Sequence, residues 1–188
     1  MLGSSSPFRK ELLGKILDQF ETHSPDIDES PLEVESPKDL VLRLALKKAE
    51  AVATVYPDAL IITSDQVSVA NGKINGKPGE FTKAFEQLKQ SSGSMVTFLT
   101  SLCLYDSLTG KYQLEVEPFN VHFRNLSDTQ IRRYLEKESP FNCAGGFKSE
   151  SLGIALFNKM EGNDPNALIG LPLIKLVSML NKQGIQIP

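Results

Sequence analysis

The sequence has no tryptophan and only two cysteines and two histidines among its 188 residues. Two cysteines, Cys103 and Cys143, are too few for a disulfide framework and favour a reducing compartment. The histidines, His23 and His122, do not stand at a spacing that ligates a metal. No apolar run approaches the roughly 20 residues that span a bilayer, and the N-terminal residues do not read as a signal peptide. We therefore expect a cytoplasmic protein without a membrane segment.

An excess of either charge is also missing. The 20 Lys and Arg against 23 Asp and Glu give a formal net charge of −3, which excludes an overall basic surface for a nucleic-acid polymer. No Gly-x-Ser-x-Gly motif occurs, which disfavours a serine-triad hydrolase. The segment 72–77 looks like a P-loop, but its glycine spacing is wrong and proline follows the lysine. We expect the whole chain, 1–188, to form one ordinary globular domain.

Apolar periodicity and turn signals predict interleaved helices and strands. Ser6-Pro7 and Ser36-Pro37 are capping signals, and they open one helix with an apolar stripe to Phe20 and another that ends near Tyr56. The apolar run 59–63 predicts a strand covered on both faces, and Asn71-Gly72 predicts a hairpin. The other predicted elements are a helix at 82–89, strands at 95–105 and 112–123, a capped helix from 127 to 135, a glycine-rich loop at 142–152 and a last helix at 172–182. This order predicts an α/β or mixed α+β fold.

Some of the polar residues suit a phosphorylated ligand. The serines at 4–6 lead into a helix start, where free backbone N–H groups attract anions, and Arg9 adds a planar charged fork. Asp65 follows the predicted buried strand, a position where α/β proteins place functional groups. Its carboxylate could hold a divalent cation or orient a water. Taken singly, each feature is explained as well by helix capping, an Asx turn or a solvated charge.

The combination of motifs is more specific. In chain order they are Ser-Ser-Ser-Pro-Phe-Arg-Lys-Glu-Leu-Leu (4–13), Asp-Ile-Asp-Glu (26–29), Arg-Leu-Ala-Leu-Lys-Lys-Ala (43–49), Ser-Asp-Gln-Val (64–67), Gly-Lys-Pro (76–78), Val-His-Phe-Arg-Asn-Leu-Ser (121–127), Cys-Ala-Gly-Gly-Phe-Lys-Ser-Glu (143–150) and Ile-Gly-Leu-Pro-Leu (169–173). This set resembles the Maf-type nucleoside triphosphate pyrophosphatases, and within them the branch that hydrolyses 7-methyl-GTP. The resemblance implies an α/β fold of the inosine-triphosphatase type, with a mixed sheet, flanking helices and a central cleft between two lobes. It also implies a divalent cation, Mg²⁺ or Mn²⁺, and a cytoplasmic, often dimeric enzyme.

The resemblance implies roles for individual residues. Asp65 matches the family's proton acceptor, and with Glu29 it would bind the metal. The other implied positions are the basic Arg9, Lys48 and Lys77, the phosphate-binding Ser4, Ser6 and Arg9, and the specificity-determining Phe8, Gln66 and Glu150. The sequence departs from the family in a shortened first strand, in Gly146 where serine is usual and in Ser151 where glycine is usual.

Base selection has a physical rationale in these residues. N7 methylation leaves a positive charge on guanine, which the face of Phe8 would attract. Glu150 could accept two hydrogen bonds from the guanine edge, a pairing that uracil does not offer. Housecleaning of modified nucleotides would use the same chemistry. The sequence leaves two alternatives open: a UTP- or dTTP-directed pyrophosphatase of the same family, and a non-catalytic nucleotide-binding regulator of septum formation.

Overall fold

The structure is a computed structural model that describes all residues, 1–188. Its strands are β1 (Leu2–Gly3), β2 (Thr22–His23), β3 (Leu60–Thr63), β4 (Gln66–Ala70), β5 (Lys73–Asn75), β6 (Met95–Asp106), β7 (Tyr112–Phe123) and β8 (Phe157–Gly162). Its helices are α1 (Pro7–Leu13), α2 (Pro37–Ala53), α3 (Phe81–Ser91), α4 (Asp128–Glu138), α5 (Pro165–Ile169) and α6 (Leu173–Lys182). This mixture of parallel and antiparallel strands with helices confirms the predicted α/β class. None of the helices combines the length and the apolar character needed to cross a membrane.

The chain folds into two compact units. The first contains residues 1–65, 100–117 and 164–188, and the second contains residues 66–99 and 118–163. Strands β6 and β7 each begin in one unit and end in the other.

The first unit is built around β3. Strand β1 pairs in parallel with both β2 and β3, while β3 pairs antiparallel with β6. Ile62 packs in one apolar cluster with residues of α1 and α6 such as Leu12 and Leu176. Its neighbour Ile61 packs in another cluster with Ala45 and other residues of α2. Because successive side chains of a strand point to opposite faces, β3 is covered on both sides, as its continuous apolar run predicts.

The second unit contains a tight hairpin and an aromatic core. Strands β4 and β5 are joined at Asn71 and Gly72, both with positive φ (51° and 74°), which confirms the predicted turn. Helix α4 begins with the predicted capping box at Ser127. Phe147 contacts three other aromatic rings at centroid distances of 4.9 to 5.6 Å, those of Phe98, Phe123 and Phe157. Strand β8 pairs antiparallel with β7.

Some elements differ from the predicted ones. Helix α1 ends at Leu13, although its apolar stripe continues to Phe20. Strands β2 and β8 and helix α5 were not predicted. Strand β1 has two residues, which confirms that the first strand is short.

Candidate active site

Asp65 lies between β3 and β4, and its backbone is fixed on β6. Its amide donates to Ser101 Oγ at 2.9 Å, and its carbonyl accepts from the Ser101 amide at 2.9 Å. The preceding Ser64 donates from Oγ to the Gly170 carbonyl at 2.9 Å. The abrupt change from apolar to polar residues after β3 is therefore explained by hydrogen bonds to separate elements, and these hold Asp65 in place.

Lys48 links the two predicted metal-binding carboxylates. Its ammonium donates to Asp65 Oδ1 at 2.5 Å and lies 2.8 Å from Glu29 Oε1. The Lys48 side chain is only 8% exposed, because it stands among the apolar positions of α2, whereas that of Glu29 is 57% exposed. An ammonium has three N–H donors, and these contacts use two of them.

Arg9 is held next to this cluster. Its Nε donates at 2.8 Å to the Gly170 carbonyl, the same oxygen that accepts from Ser64. Burial lowers the pKa of Arg9 from its ordinary value, while the negative charges of Asp65 and Glu29 oppose that shift. An arginine remains protonated at neutral pH, so the side chain is a fixed positive charge within electrostatic range of both carboxylates.

The other predicted residues of the first unit lie at the start of α1. Ser6 is the N-cap, and its Oγ accepts from the Arg9 amide at 3.4 Å, while Ser4 Oγ accepts from the Ser6 amide at 3.1 Å. Phe8 is half-buried in the first turn of this helix. Because α1 has only seven residues, its dipole is modest. A phosphate-binding role for Ser4 and Ser6 stays a prediction.

The remaining predicted residues belong to the second unit. Gln66 opens β4 directly after Asp65, Lys77 is exposed in the loop after β5, and Glu150 is exposed in the glycine-rich segment. Burial raises the pKa of the Cys143 thiol; the charge of Glu150 adds to this shift and that of Lys77 opposes it. Lys77 and Glu150 therefore lie within electrostatic range of the same thiol.

The chain matches a known protein family over nearly its whole length. The model of the Maf family, described as Maf-like protein, matches residues 1–183. The chain belongs to the Maf-like family. Membership indicates a nucleotide pyrophosphatase, that is, a hydrolase, and the observed mixed α/β architecture agrees with a Maf-like fold.

In this Maf-like protein, the carboxylates of Asp65 and Glu29 would fit a divalent cation whose other ligands come from a substrate. No group of three or more histidine, cysteine, aspartate and glutamate residues is placed to hold a metal ion. Asp65 and Glu29 nevertheless reach one ammonium between them, and both supply hard oxygen ligands. Mg²⁺ is usually held by one or two carboxylates, with waters and substrate phosphates completing its octahedron. The donor set therefore suits a shared magnesium site and not an all-protein cage.

The structure brings part of the predicted site of the Maf-like chain together. Arg9, Glu29, Lys48 and Asp65 converge within the first unit. The Gly170 carbonyl, which anchors Arg9, was missed as a functional group, although the motif at 169–173 marked its position. A backbone oxygen has no residue-type signal, so only the fold could identify it. Lys148, a lysine of the glycine-rich segment, donates from its ammonium to the Glu138 carbonyl at 3.0 Å.

Proposed function

We propose that this chain is a nucleoside triphosphate pyrophosphatase that hydrolyses 7-methyl-GTP to 7-methyl-GMP and pyrophosphate in the cytoplasm. The observation that supports the reaction class is the Asp65 carboxylate, fixed on β6 and paired with the buried Lys48 beside Glu29. Family membership supports the same class.

Asp65 is proposed as the proton acceptor. A carboxylate has about four lone-pair sites, so the contact with Lys48 leaves room to accept a proton from a water. The oxygen of that water would bond to the α-phosphorus as the bond to the bridging oxygen of the β-phosphate breaks. The electron pair leaves with pyrophosphate, and the proton goes to Asp65. The hydrogen bonds to Ser101 hold the backbone of Asp65 in place, so less positional freedom is lost when the carboxylate meets the water.

The charges of the first unit call for a further cation. Arg9 and Lys48 balance Asp65 and Glu29, so these groups alone do not neutralise a triphosphate. We assign the missing positive charge to Lys77 and to a divalent cation on Asp65 and Glu29. When bound, Mg²⁺ or Mn²⁺ would neutralise phosphate charge and acidify a water. Arg9 and Lys48 would stabilise the charge that develops on the leaving pyrophosphate.

The choice of base is assigned to Phe8, Gln66 and Glu150. Phe8 is half-buried next to Arg9 in the first turn of α1. Glu150 is exposed, and its Oε2 accepts from Ser149 Oγ at 3.3 Å. An exposed carboxylate can accept hydrogen bonds from the guanine edge without a large desolvation cost.

The test is pyrophosphate release from a panel of 7-methyl-GTP, GTP, UTP and dTTP. The wild-type chain should prefer 7-methyl-GTP, and Asp65→Asn should lower kcat by roughly 10²- to 10⁴-fold, the usual contribution of a general base. Asp58→Asn is the matched control, since Asp58 is an exposed aspartate near the other end of β3.

Each contrary result removes a different part of the proposal. No release from any nucleotide would reject the reaction class and favour a non-catalytic binder. Full activity in Asp65→Asn would reject the proton acceptor. A preference for UTP or dTTP would move the chain to the pyrimidine-directed branch.

A further inference from the structure

The segment that carries Glu29 is held in a strained conformation. Residues 24–36, between β2 and α2, form no helix or strand. Val34 has a φ of 60° and a fully exposed side chain. A β-branched residue rarely adopts positive φ, and such strain persists only where surrounding contacts impose it. Something other than local preference therefore fixes this loop.

A bidentate ion pair from α2 supplies the fixing contacts. Arg43 donates from Nε to Glu35 Oε1 at 2.6 Å and from Nη2 to Glu35 Oε2 at 2.8 Å. The Leu32 amide donates to the same Oε2 at 3.0 Å, which closes the turn that contains Val34. The side chains of Arg43 and Glu35 are 16% and 7% exposed, so the pair is largely shielded although the loop around it is exposed. We call Arg43 and Glu35 the loop clamp.

The loop clamp also reaches the backbone next to Glu29. Arg43 Nη2 donates to the Ser30 carbonyl at 3.0 Å, and Asp28 Oδ1 accepts from the Ser30 amide at 2.9 Å. The residue that follows Glu29 is therefore held through both of its backbone polar groups. Lys48, about one and a half turns beyond Arg43 on the same helix, holds the Glu29 carboxylate.

We propose that Arg43 and Glu35 are positioning residues that hold the Glu29 carboxylate at the active site by ordering residues 28–35. The inference rests on the proposed function. An unclamped loop would lose conformational entropy each time Glu29 came into place, and the loop clamp removes that cost from the catalytic cycle. The hydrogen bonds from Arg43 lower the pKa of Glu35 to about 2. The pair therefore stays ionised at any pH used in an assay.

The test is a double-mutant cycle with Glu29. Arg43→Lys keeps the charge but loses the planar fork, so it should lower kcat/KM about 10- to 100-fold. In a Glu29→Gln background the same change should alter kcat/KM less than about twofold, because the clamp acts through Glu29. Lys47→Gln is the matched control: Lys47 is exposed on the same helix, its charge acts on Asp28 and Glu35, and its loss should leave kcat/KM within about twofold.

Amide hydrogen exchange gives a readout independent of activity. Protection at Leu32 and Ser30 should fall in Arg43→Lys and stay at the wild-type level in Lys47→Gln, because only the former loses the contacts at 2.6 to 3.0 Å. If Arg43→Lys does not fold, Glu35→Gln is used in the same cycle, since it keeps the side-chain volume and breaks the pairing.

The outcomes separate the positioning role from the function on which it rests. Equal losses in the wild-type and Glu29→Gln backgrounds would overturn the positioning role and leave the pyrophosphatase in place. Lost activity with unchanged exchange would overturn it in the same way, as would wild-type activity in the clamp variants. A wild-type chain that cleaves no nucleotide would overturn both proposals, and a loss of protection in Arg43→Lys but not in Lys47→Gln would then show only that the clamp orders the loop.

Discussion

At the scale of single residues, Lys48 points to function more than to stability. Burying an ammonium is costly, and replacing a buried ion pair by apolar residues is often neutral or stabilising. Lys48 is nevertheless buried among the apolar positions of α2, with Asp65 and Glu29 as partners. A chain selected for stability alone has little reason to bury the charges of Lys48 and Asp65.

Phe8 provides the residue-scale test of substrate choice. Phe8→Arg should lower kcat/KM for 7-methyl-GTP roughly 2- to 30-fold more than kcat/KM for UTP, because the 0.5–2 kcal/mol of cation–π attraction is lost and the new charge repels the methylated base. The measurement is the ratio of the two kcat/KM values. Phe8→Leu is the control, since it keeps an apolar side chain without the aromatic face. Equal losses on both nucleotides would contradict the stacking role.

At the scale of elements, the sequence predicts burial more reliably than hydrogen bonding. The apolar stripe of α1 continues beyond Leu13, and Ile16, Leu17 and Phe20 do pack against the core of the first unit. The regular helix ends because Gly14, a poor helix former, follows Leu13 and the chain continues through turn hydrogen bonds. The apolar periodicity therefore predicts which side chains pack against the core. The backbone can bring them there without forming a regular helix.

Short elements, and contacts between residues far apart in the sequence, cannot be predicted from such periodicity. Helix α5 has the signal of an Asp164 cap followed by proline, but its five residues show no periodicity. Within the site, the residue types and motifs predicted Asp65, Lys48 and Arg9, and the structure brings these three side chains together. The anchor of Arg9 on Gly170 could not be predicted, because it joins residues 161 positions apart. The loop clamp likewise depends on a turn geometry that no motif encodes.

Two glycines with the same φ separate backbone strain from packing. Gly72 and Gly145 both have a φ of 74°, but a Cβ on Gly72 would meet nothing within 4 Å, whereas one on Gly145 would lie 2.9 Å from Phe98 Cζ. Gly72→Ala should cost about 1 kcal/mol of unfolding free energy from strain alone. Gly145→Ala should cost about 2–4 kcal/mol, because overpacking adds to the strain. Urea unfolding measures the difference, and equal costs would show that Phe98 yields without penalty.

At the scale of the whole molecule, ionisable groups limit stability on both sides of neutral pH. Hydrogen bonds lower the pKa values of Asp28, Glu35 and Asp106 in the first unit and of Glu161 in the second. A carboxyl with a lowered folded pKa stabilises the fold above its unfolded pKa and loses that contribution as the pH falls through its folded pKa. The first unit carries most of these groups, including the loop clamp.

Alkaline pH acts through buried groups that resist ionisation. Burial raises the pKa of Cys103 from 9.0 to about 12, and it also raises those of Tyr134 and Cys143. These groups ionise more readily in the unfolded chain. Stability is therefore full below their unfolded pKa values and declines as the pH rises toward the folded ones.

The urea midpoint should accordingly fall as the pH drops from about 4.5 to 2, and fall again above about pH 9. Cys103→Ala should make the alkaline decline shallower and leave the acid decline unchanged, because it removes one buried thiol and no carboxyl. Glu35→Gln should do the reverse, weakening the acid dependence while the alkaline one stays. An alkaline slope that is identical in Cys103→Ala and the wild-type chain would mean that the buried thiol does not couple ionisation to folding, and that Tyr134 and Cys143 in the second unit carry the effect.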